Sequence, residues 1–141
     1  MDNKYSIEPV KDAEQVIQLL EDRIYEYNST KIHIDDGRLF AKVIRDSNKE
    51  IIAGIAGWTW AGICEITQLW VDKNVRGAGI GRRLLDAGEL EAKSRGCRTI
   101  LARSYSFQAP DFYEKCDYRI EYVLNGFPDS YDYFILSKKI G

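Results

Sequence analysis

Residues 68–85 read QLWVDKNVRGAGIGRRLL, and the fold turns on how that stretch is parsed. Gln68 to Val71 is the apolar end of a strand, a short turn follows, and Ile80 onward opens an amphipathic helix. Between them Arg76, Gly77, Ala78, Gly79, Ile80 and Gly81 set several backbone N–H groups and a guanidinium beside the helix start. The first amides of a helix lack an internal acceptor and the macrodipole is positive there, so such a segment favours an anion. The expectation is a cradle for a pyrophosphate.

Three known phosphate loops compete for that outline. A P-loop requires Gly-Lys-Ser/Thr after its glycines, and here Gly81 is followed by Arg82 and Arg83. A dinucleotide fingerprint requires a further Gly or Ala, but Gly77-x-Gly79 leads to Arg82 and Gly79-x-Gly81 leads to Leu84. What fits is Arg-x-x-Gly-x-Gly (Arg76, Gly79, Gly81) after Leu-x-Val (Leu69, Val71), which resembles the acetyl-CoA loop of the GNAT-type N-acetyltransferases. A glycine-rich helix cap with no ligand is the plainer alternative.

A second segment carries the same resemblance. Ser106 to Tyr118, SFQAPDFYEKCDY, is similar to that family's closing helix, where Asn begins the helix and an aromatic-Tyr-Glu-Lys run leads to Gly and an aromatic residue. Phe112, Tyr113, Glu114, Lys115 and Tyr118 match, while Ser106 stands for Asn and Asp117 for Gly. Ser is an equally good N-cap and Asp tolerates a left-handed position, so the expected geometry survives both departures. The resemblance covers nearly the whole chain.

It implies acetyl-CoA as cosubstrate, no metal, and direct transfer to a primary amine in a ternary complex. By the same resemblance the main chain of Leu69, Trp70 and Val71 bonds the pantetheine arm where two parallel strands splay. The amides from Arg76 to Arg82 hold the pyrophosphate, Ser106 opens the helix beside the cofactor, and Tyr113 gives a proton to the departing thiolate. Glu65, four residues before Leu69, occupies a position at which some family members carry the general base. A carboxylate among Ile63, Cys64 and Ile66 needs a partner, water or a raised pKa, because burying it alone costs several kcal/mol. An edge carboxylate facing solvent is its bland reading, a packing tyrosine that of Tyr113. Thr67 and Gln68 are further candidates for holding a water near the amine.

Composition sets outer bounds. At 141 residues the chain is read as a single domain, 1–141, able to hold a core without staples. A net charge of −2 argues against nucleic-acid binding, and no apolar run is long enough to suggest a membrane span. Cys64, Cys97 and Cys116 lie far apart and His33 is the lone histidine, so no metal set assembles from spacing. The odd cysteine count and lack of a signal-peptide pattern point to a cytoplasmic protein with reduced thiols. All three cysteines read as small packing residues.

Taken in order, Lys4 to Pro9 alternates and reads as a first strand. Asp12 with Gln15 reads as a capping box opening a helix through about Asn28, and the loop Ser29 to Gly37 follows. Arg38–Arg45, Ile51–Trp60 and Ile63–Val71 form an antiparallel meander by their short polar turns. The helix from Ile80 turns Leu84, Leu85 and Ala92 inward, with Glu89, Glu91 and Arg95 outside, and ends at Gly96. Arg98 to Arg103, continuously apolar at Ile100 to Ala102, suits a parallel strand reached by a helical crossover. Two last strands, near Tyr118–Leu124 and Tyr131–Lys138, are linked by Asn125 to Asp129. The fold class is mixed α/β (α+β): a six-to-seven-stranded GNAT-like sheet flanked by helices, with an antiparallel first half and a parallel splayed junction between the fourth and fifth strands.

The acceptor, a small-molecule or peptide amine, is open because loops set that choice. Tyr131, Tyr133 and Phe134 of the last strand are available to a homodimer. A catalytically inactive acyl-CoA-binding or regulatory module on the same scaffold is the alternative reading.

Overall fold

Three apolar runs become strands because short turns let each fold back on the one before: β1 (Arg38–Arg45), β2 (Ile51–Trp60) and β3 (Ile63–Val71). The β1–β2 turn is closed by the Asp46 carboxylate, which accepts from the Asn48 and Glu50 amides at 2.8 and 3.0 Å. Ala61 and Gly62 join β2 to β3 with φ of 53° and 80°, the left-handed pair that matches strand twist in a two-residue hairpin. The Ala61 N–H is fixed by the Asp36 carboxylate at 3.0 Å.

The chain then leaves the sheet through a 3-10 turn and α2 (Ile80–Ser94), and returns as β4 (Thr99–Tyr105) parallel to β3. The short helix α3 (Pro110–Lys115) precedes β5 (Arg119–Leu124) and β6 (Tyr133–Lys139). The sheet order is β1-β2-β3-β4-β6-β5, and every pairing but β3–β4 is antiparallel. The computed structural model describes residues 4–126 and 129–141; positions 127 and 128 of the expected β5–β6 loop lie outside them. By contacts the chain forms two compact units, one ending at Asp35 and the other spanning Asp36–Gly141.

One sheet face carries the core. Ala53, Ile55, Cys64, Ile66, Ile100, Ala102 and Leu136 point to the side where Leu84, Leu85 and Ala92 of α2 lie, and all are buried. Each fully buried Leu or Ile contributes roughly 1.5–3 kcal/mol, which fixes which face α2 covers. Gly88 lets α2 come close: a Cβ there would meet Ile55 Cδ1 at 2.8 Å. All three cysteines are buried, as their reading as packing residues requires.

Several expectations need correction. Residues 4–12 form no strand: alternation assigns faces, but a strand exists only where a neighbouring edge pairs with it. The parallel junction therefore falls between the third and fourth strands of a six-stranded sheet. In the first unit α1 runs Ala13–Ile32, past Asn28, and ends on His33 at φ 60°. Asp12 precedes α1 without a side-chain capping bond, so the capping box does not form. Glu89, Glu91 and Arg95 are half-buried, because their carboxylates and guanidinium reach partners on β1, β2 and β6.

Candidate active site

The parallel pairing of β3 with β4 is short. It covers Ile63↔Thr99, Cys64↔Ile100 and Glu65↔Leu101 and then stops, although β3 continues to Val71 and β4 to Tyr105. Each strand stays paired on its other side, β3 with β2 as far as Val71 and β4 with β6 as far as Tyr105. The opening is therefore held apart by its outer neighbours, and main-chain groups of Ile66–Val71 face it without a ladder partner. Leu69 and Val71 pack against the core from this lip, and Trp70 points to the opposite face, 49% exposed.

The glycine loop sits directly above. Gly77 and Gly79 have φ of 86° and 75°, with open space where a side chain would project; only Gly takes that conformation without strain. Of residues 77–82, no backbone N–H donates to a protein acceptor among the described residues. Arg76, Gly77, Ala78 and Gly79 are exposed, and Arg76 Nε donates to the Val71 carbonyl at 3.0 Å, tying the loop to the strand end. Ile80 turns into the core, while Arg82 is exposed and pairs with Asp86 at 3.5 Å. A Cβ on Gly81 would lie 3.5 Å from the Phe112 ring and 3.9 Å from Val71. Loop, strand end and α3 thus meet at one point.

Tyr113, next to Phe112, is 6% exposed and packs edge-on to Phe112 and Tyr118 at centroid distances of 5.3 and 5.4 Å. Burial, and secondarily Cys116, pushes its phenol up to about 12. Its hydroxyl makes no hydrogen bond among the described residues, nor is it sealed off from solvent. Tyr118 behaves differently: its hydroxyl donates to Glu89 at 3.0 Å, and Glu89 also accepts from Lys138 at 2.9 Å. Asp117 takes φ 70°, the left-handed position expected of it. Ser106 does not cap the helix, which starts at Pro110 after Ala109. Its hydroxyl accepts from the Asp132 amide at 3.0 Å, and its own amide donates to the Asp132 carbonyl at 2.8 Å. Pro110, suited to the first helical turn, sets the start that Ser106 was expected to set.

Glu65 is the last β3 residue paired with β4 and faces away from α2, whereas Tyr113 lies in the core on the α2 side of the sheet. Its side chain is 15% exposed, and one carboxylate oxygen accepts from Arg103 Nε at 3.0 Å. That guanidinium also donates to the Tyr133 hydroxyl at 3.4 Å. Beside Glu65 the β2–β3 register shifts between Ala56 and Gly57, leaving Thr67 as the extra residue of a bulge. Thr67 Oγ1 donates to Gln68 Oε1 at 2.6 Å and lies 3.3 Å from the Ala56 carbonyl, its alternative acceptor. On this face Leu39, Ala41, Ala56, Gly57, Thr67 and Gln68 line a cavity of about 390 Å³. Among the described residues no His, Cys, Asp and Glu side chains gather as a metal set.

Two contributors escape a reading of the sequence. Arg103 closes the predicted β4 run and is on Glu65's face by period two, but only the register reveals the pair. Phe112 belongs to the matched motif, yet its place against Gly81 depends on the α3 docking angle.

Known proteins are similar in sequence and fold. Residues 6–118 match the family model for the acetyltransferase (GNAT) family. The chain is 33% identical over 95 residues to blasticidin-S acetyltransferase of Streptomyces morookaense, covering 64% of this chain and 68% of that one. A crystal structure of an acetyltransferase from Bacillus cereus ATCC 14579 superposes with a TM-score of 0.80 at 30% identity, over 96% of this chain and 98% of the other. A structure ascribed to streptothricin acetyltransferase from Bacillus anthracis str. Ames, solved in complex with acetyl coenzyme A, shares the fold with a TM-score of 0.63 at 22% identity, over 73% and 63% of the two chains. With the opened β3–β4 pair, the glycine loop and the Tyr113 helix all in place, the chain belongs to the GNAT acetyltransferase family.

Proposed function

We infer that the protein is an acetyl-CoA-dependent N-acetyltransferase that passes the acetyl group to a primary amine, of a small molecule or a peptide, by direct attack in a ternary complex. The observation that carries this reading is the early end of the β3–β4 ladder at Glu65 and Leu101, beneath a loop whose amides are unspent. Main-chain groups of Leu69, Trp70 and Val71 bond the pantetheine arm, and the amides of Gly77 to Arg82 take the pyrophosphate. The acyl carrier enters from the α2 side and the amine from the Glu65 side.

In the transfer the amine nitrogen forms its bond to the acetyl carbon while the carbon–sulfur bond breaks; the amine loses one proton and the sulfur gains one. A lysine-like amine is neutral to about one part in a thousand at pH 7.4, which corresponds to about 4 kcal/mol, so a base is required. Glu65 lies four residues before Leu69, but with Thr67 bulged out this is three ladder steps, about 10 Å along the strand, too far for one side chain to span. It therefore takes the proton through water, with Thr67 and Gln68 in the intervening stretch. Its second carboxylate oxygen has no partner among the described residues.

At the sulfur, Tyr113 stays a phenol at neutral pH. Transfer from a group near 12 to a thiolate near 8.5 is uphill by about 5 kcal/mol. Tyr113 thus acts by donating a hydrogen bond to charge building on sulfur, and the sulfur takes its proton from solvent as coenzyme A departs. A thiol-release assay with acetyl-CoA and a panel of primary amines tests the reading. Release dependent on both substrates supports it; binding of acetyl-CoA with no release toward any amine instead supports the inactive acyl-CoA-binding module.

A further inference from the structure

Among the described residues four aromatic rings run in one continuous array on the Glu65 face of β4 and β6 and out to solvent. Tyr133 hydrogen-bonds Arg103, which pairs with Glu65. Tyr133 packs against Tyr105 at 4.9 Å, Tyr105 stacks on Phe107 at 5.0 Å with an interplanar angle of 17°, and Phe107 meets Tyr131 edge-on at 5.1 Å and 78°. Phe107 is 57% exposed and Tyr131 46% exposed. Isolated apolar side chains at a surface need no explanation, but a contiguous aromatic patch beside an opening marks a binding surface.

Its position is set by register. Glu65 and Leu101 are the last paired residues; Tyr105 stands four residues beyond Leu101, and because Thr67 is the extra residue of the bulge, Trp70 stands four ladder steps beyond Glu65. Tyr105 therefore occupies the far lip of the opening at the level of Trp70. The charge at the inner end is already neutralised, since Arg103 and Glu65 pair with each other. At the outer end Phe107 and Tyr131 are perpendicular and together form a corner, one ring presenting a face and the other an edge. A planar ring laid in that corner makes one stacked and one edge-on contact, the two favoured aromatic geometries.

We propose that Tyr105, Phe107 and Tyr131 recognise the acceptor, and that the preferred acceptor is an amine carried on a short arm from a flat aromatic or heteroaromatic ring. This rests on the acetyl-transfer reading above. The ring seats against Phe107 and Tyr131, which directs its amino arm past Tyr105, on the β4 lip, toward the opening. A saturated ring of equal size has the bulk but lacks the stacked contact.

The test compares phenethylamine with its cyclohexyl analogue, a pair matched in length and amine position. The full-length protein should show kcat/KM roughly 3- to 10-fold higher for the aromatic member. Phe107→Ala and Tyr131→Leu should bring that ratio to about one, the loss in kcat/KM falling more heavily on phenethylamine than on the cyclohexyl amine, and both variants should keep the melting point, because both side chains are exposed and outside the core. Equal kcat/KM for the two amines in the unaltered protein overturns the proposal, as does an equal loss for both amines in Phe107→Ala. A dimer of the unaltered protein that Phe107→Ala dissociates in sedimentation also overturns it, because a second copy then covers the patch. If neither amine is acetylated, the transfer reading fails separately, and calorimetry of the CoA-loaded protein decides recognition. Tighter binding of phenethylamine, lost in Phe107→Ala, sustains the array as a ring-binding site; equal or no binding of the pair refutes it.

Discussion

Replacing Tyr113 by Phe should slow the reaction without weakening the fold, and the same change at Tyr118 should do the reverse. The two rings touch, both are nearly buried, and they differ in what the hydroxyl does. Tyr113 has no hydrogen-bond partner among the described residues, so removing its oxygen breaks nothing and shifts stability by less than about 0.5 kcal/mol. Tyr118 donates to Glu89 at 3.0 Å; losing a bond to a charged acceptor costs about 1.5–3 kcal/mol, or roughly 5–10 °C in Tm for a domain of this size. In turnover the order inverts. One positioned acid supplies about 10²–10⁴-fold, and a phenol held near 12 belongs at the lower end, so Tyr113→Phe should lose about 10²-fold in kcat, or about 2.7 kcal/mol. Thermal melts and thiol release below the melting range measure both quantities on the same samples. Full turnover in Tyr113→Phe, or a melting point lowered as far as that of Tyr118→Phe, refutes the assignment.

Further perturbations separate binding from folding. Gly81→Ala fits, since its Cβ makes only ordinary contacts at 3.5 Å and beyond, and should keep both fold and CoA affinity. Gly81→Asp should keep the melting point within a few degrees yet abolish CoA binding, by setting a negative charge among amides expected to hold a diphosphate; calorimetry decides. Gly57→Ala would place a Cβ 2.0 Å from the Glu65 carbonyl and 2.9 Å from Phe40, costing about 3 kcal/mol, which urea titration would register. The phenol of Tyr113, held near 12 against an ordinary value near 10, favours the protonated form in the fold. Its contribution to stability is therefore complete below pH 10 and lost as pH rises through 12. Turnover should accordingly rise with amine deprotonation from pH 7 to 10 with no fall from Tyr113; a decline beginning near pH 9 that Tyr113→Phe abolishes would contradict this.

Local chemistry explains which parts of the structure are legible in the sequence. The meander was readable to the residue because the β1–β2 and β2–β3 turns announce themselves, through Asp46 to Lys49 and through Ala61-Gly62. The glycine loop was readable because positive φ at Gly77 and Gly79 demands glycine. What failed was non-local. Lys4 to Pro9 alternates, but alternation cannot supply a partner edge. Ser106 is a good cap by type, yet its hydroxyl is taken by Asp132 across the chain. Glu65 visibly needed a partner, and the sheet register, which joins β3 to a strand beyond a helical crossover, chose Arg103.

The central claim is that the opened β3–β4 pair and the amides above it form a seat for an acyl-CoA. Isothermal calorimetry of the purified protein with acetyl-CoA tests this most directly. The account predicts saturable, one-to-one heat that Gly81→Asp removes and Gly81→Ala preserves. Absence of any binding heat at millimolar acetyl-CoA, or equal binding by Gly81→Asp, would contradict it.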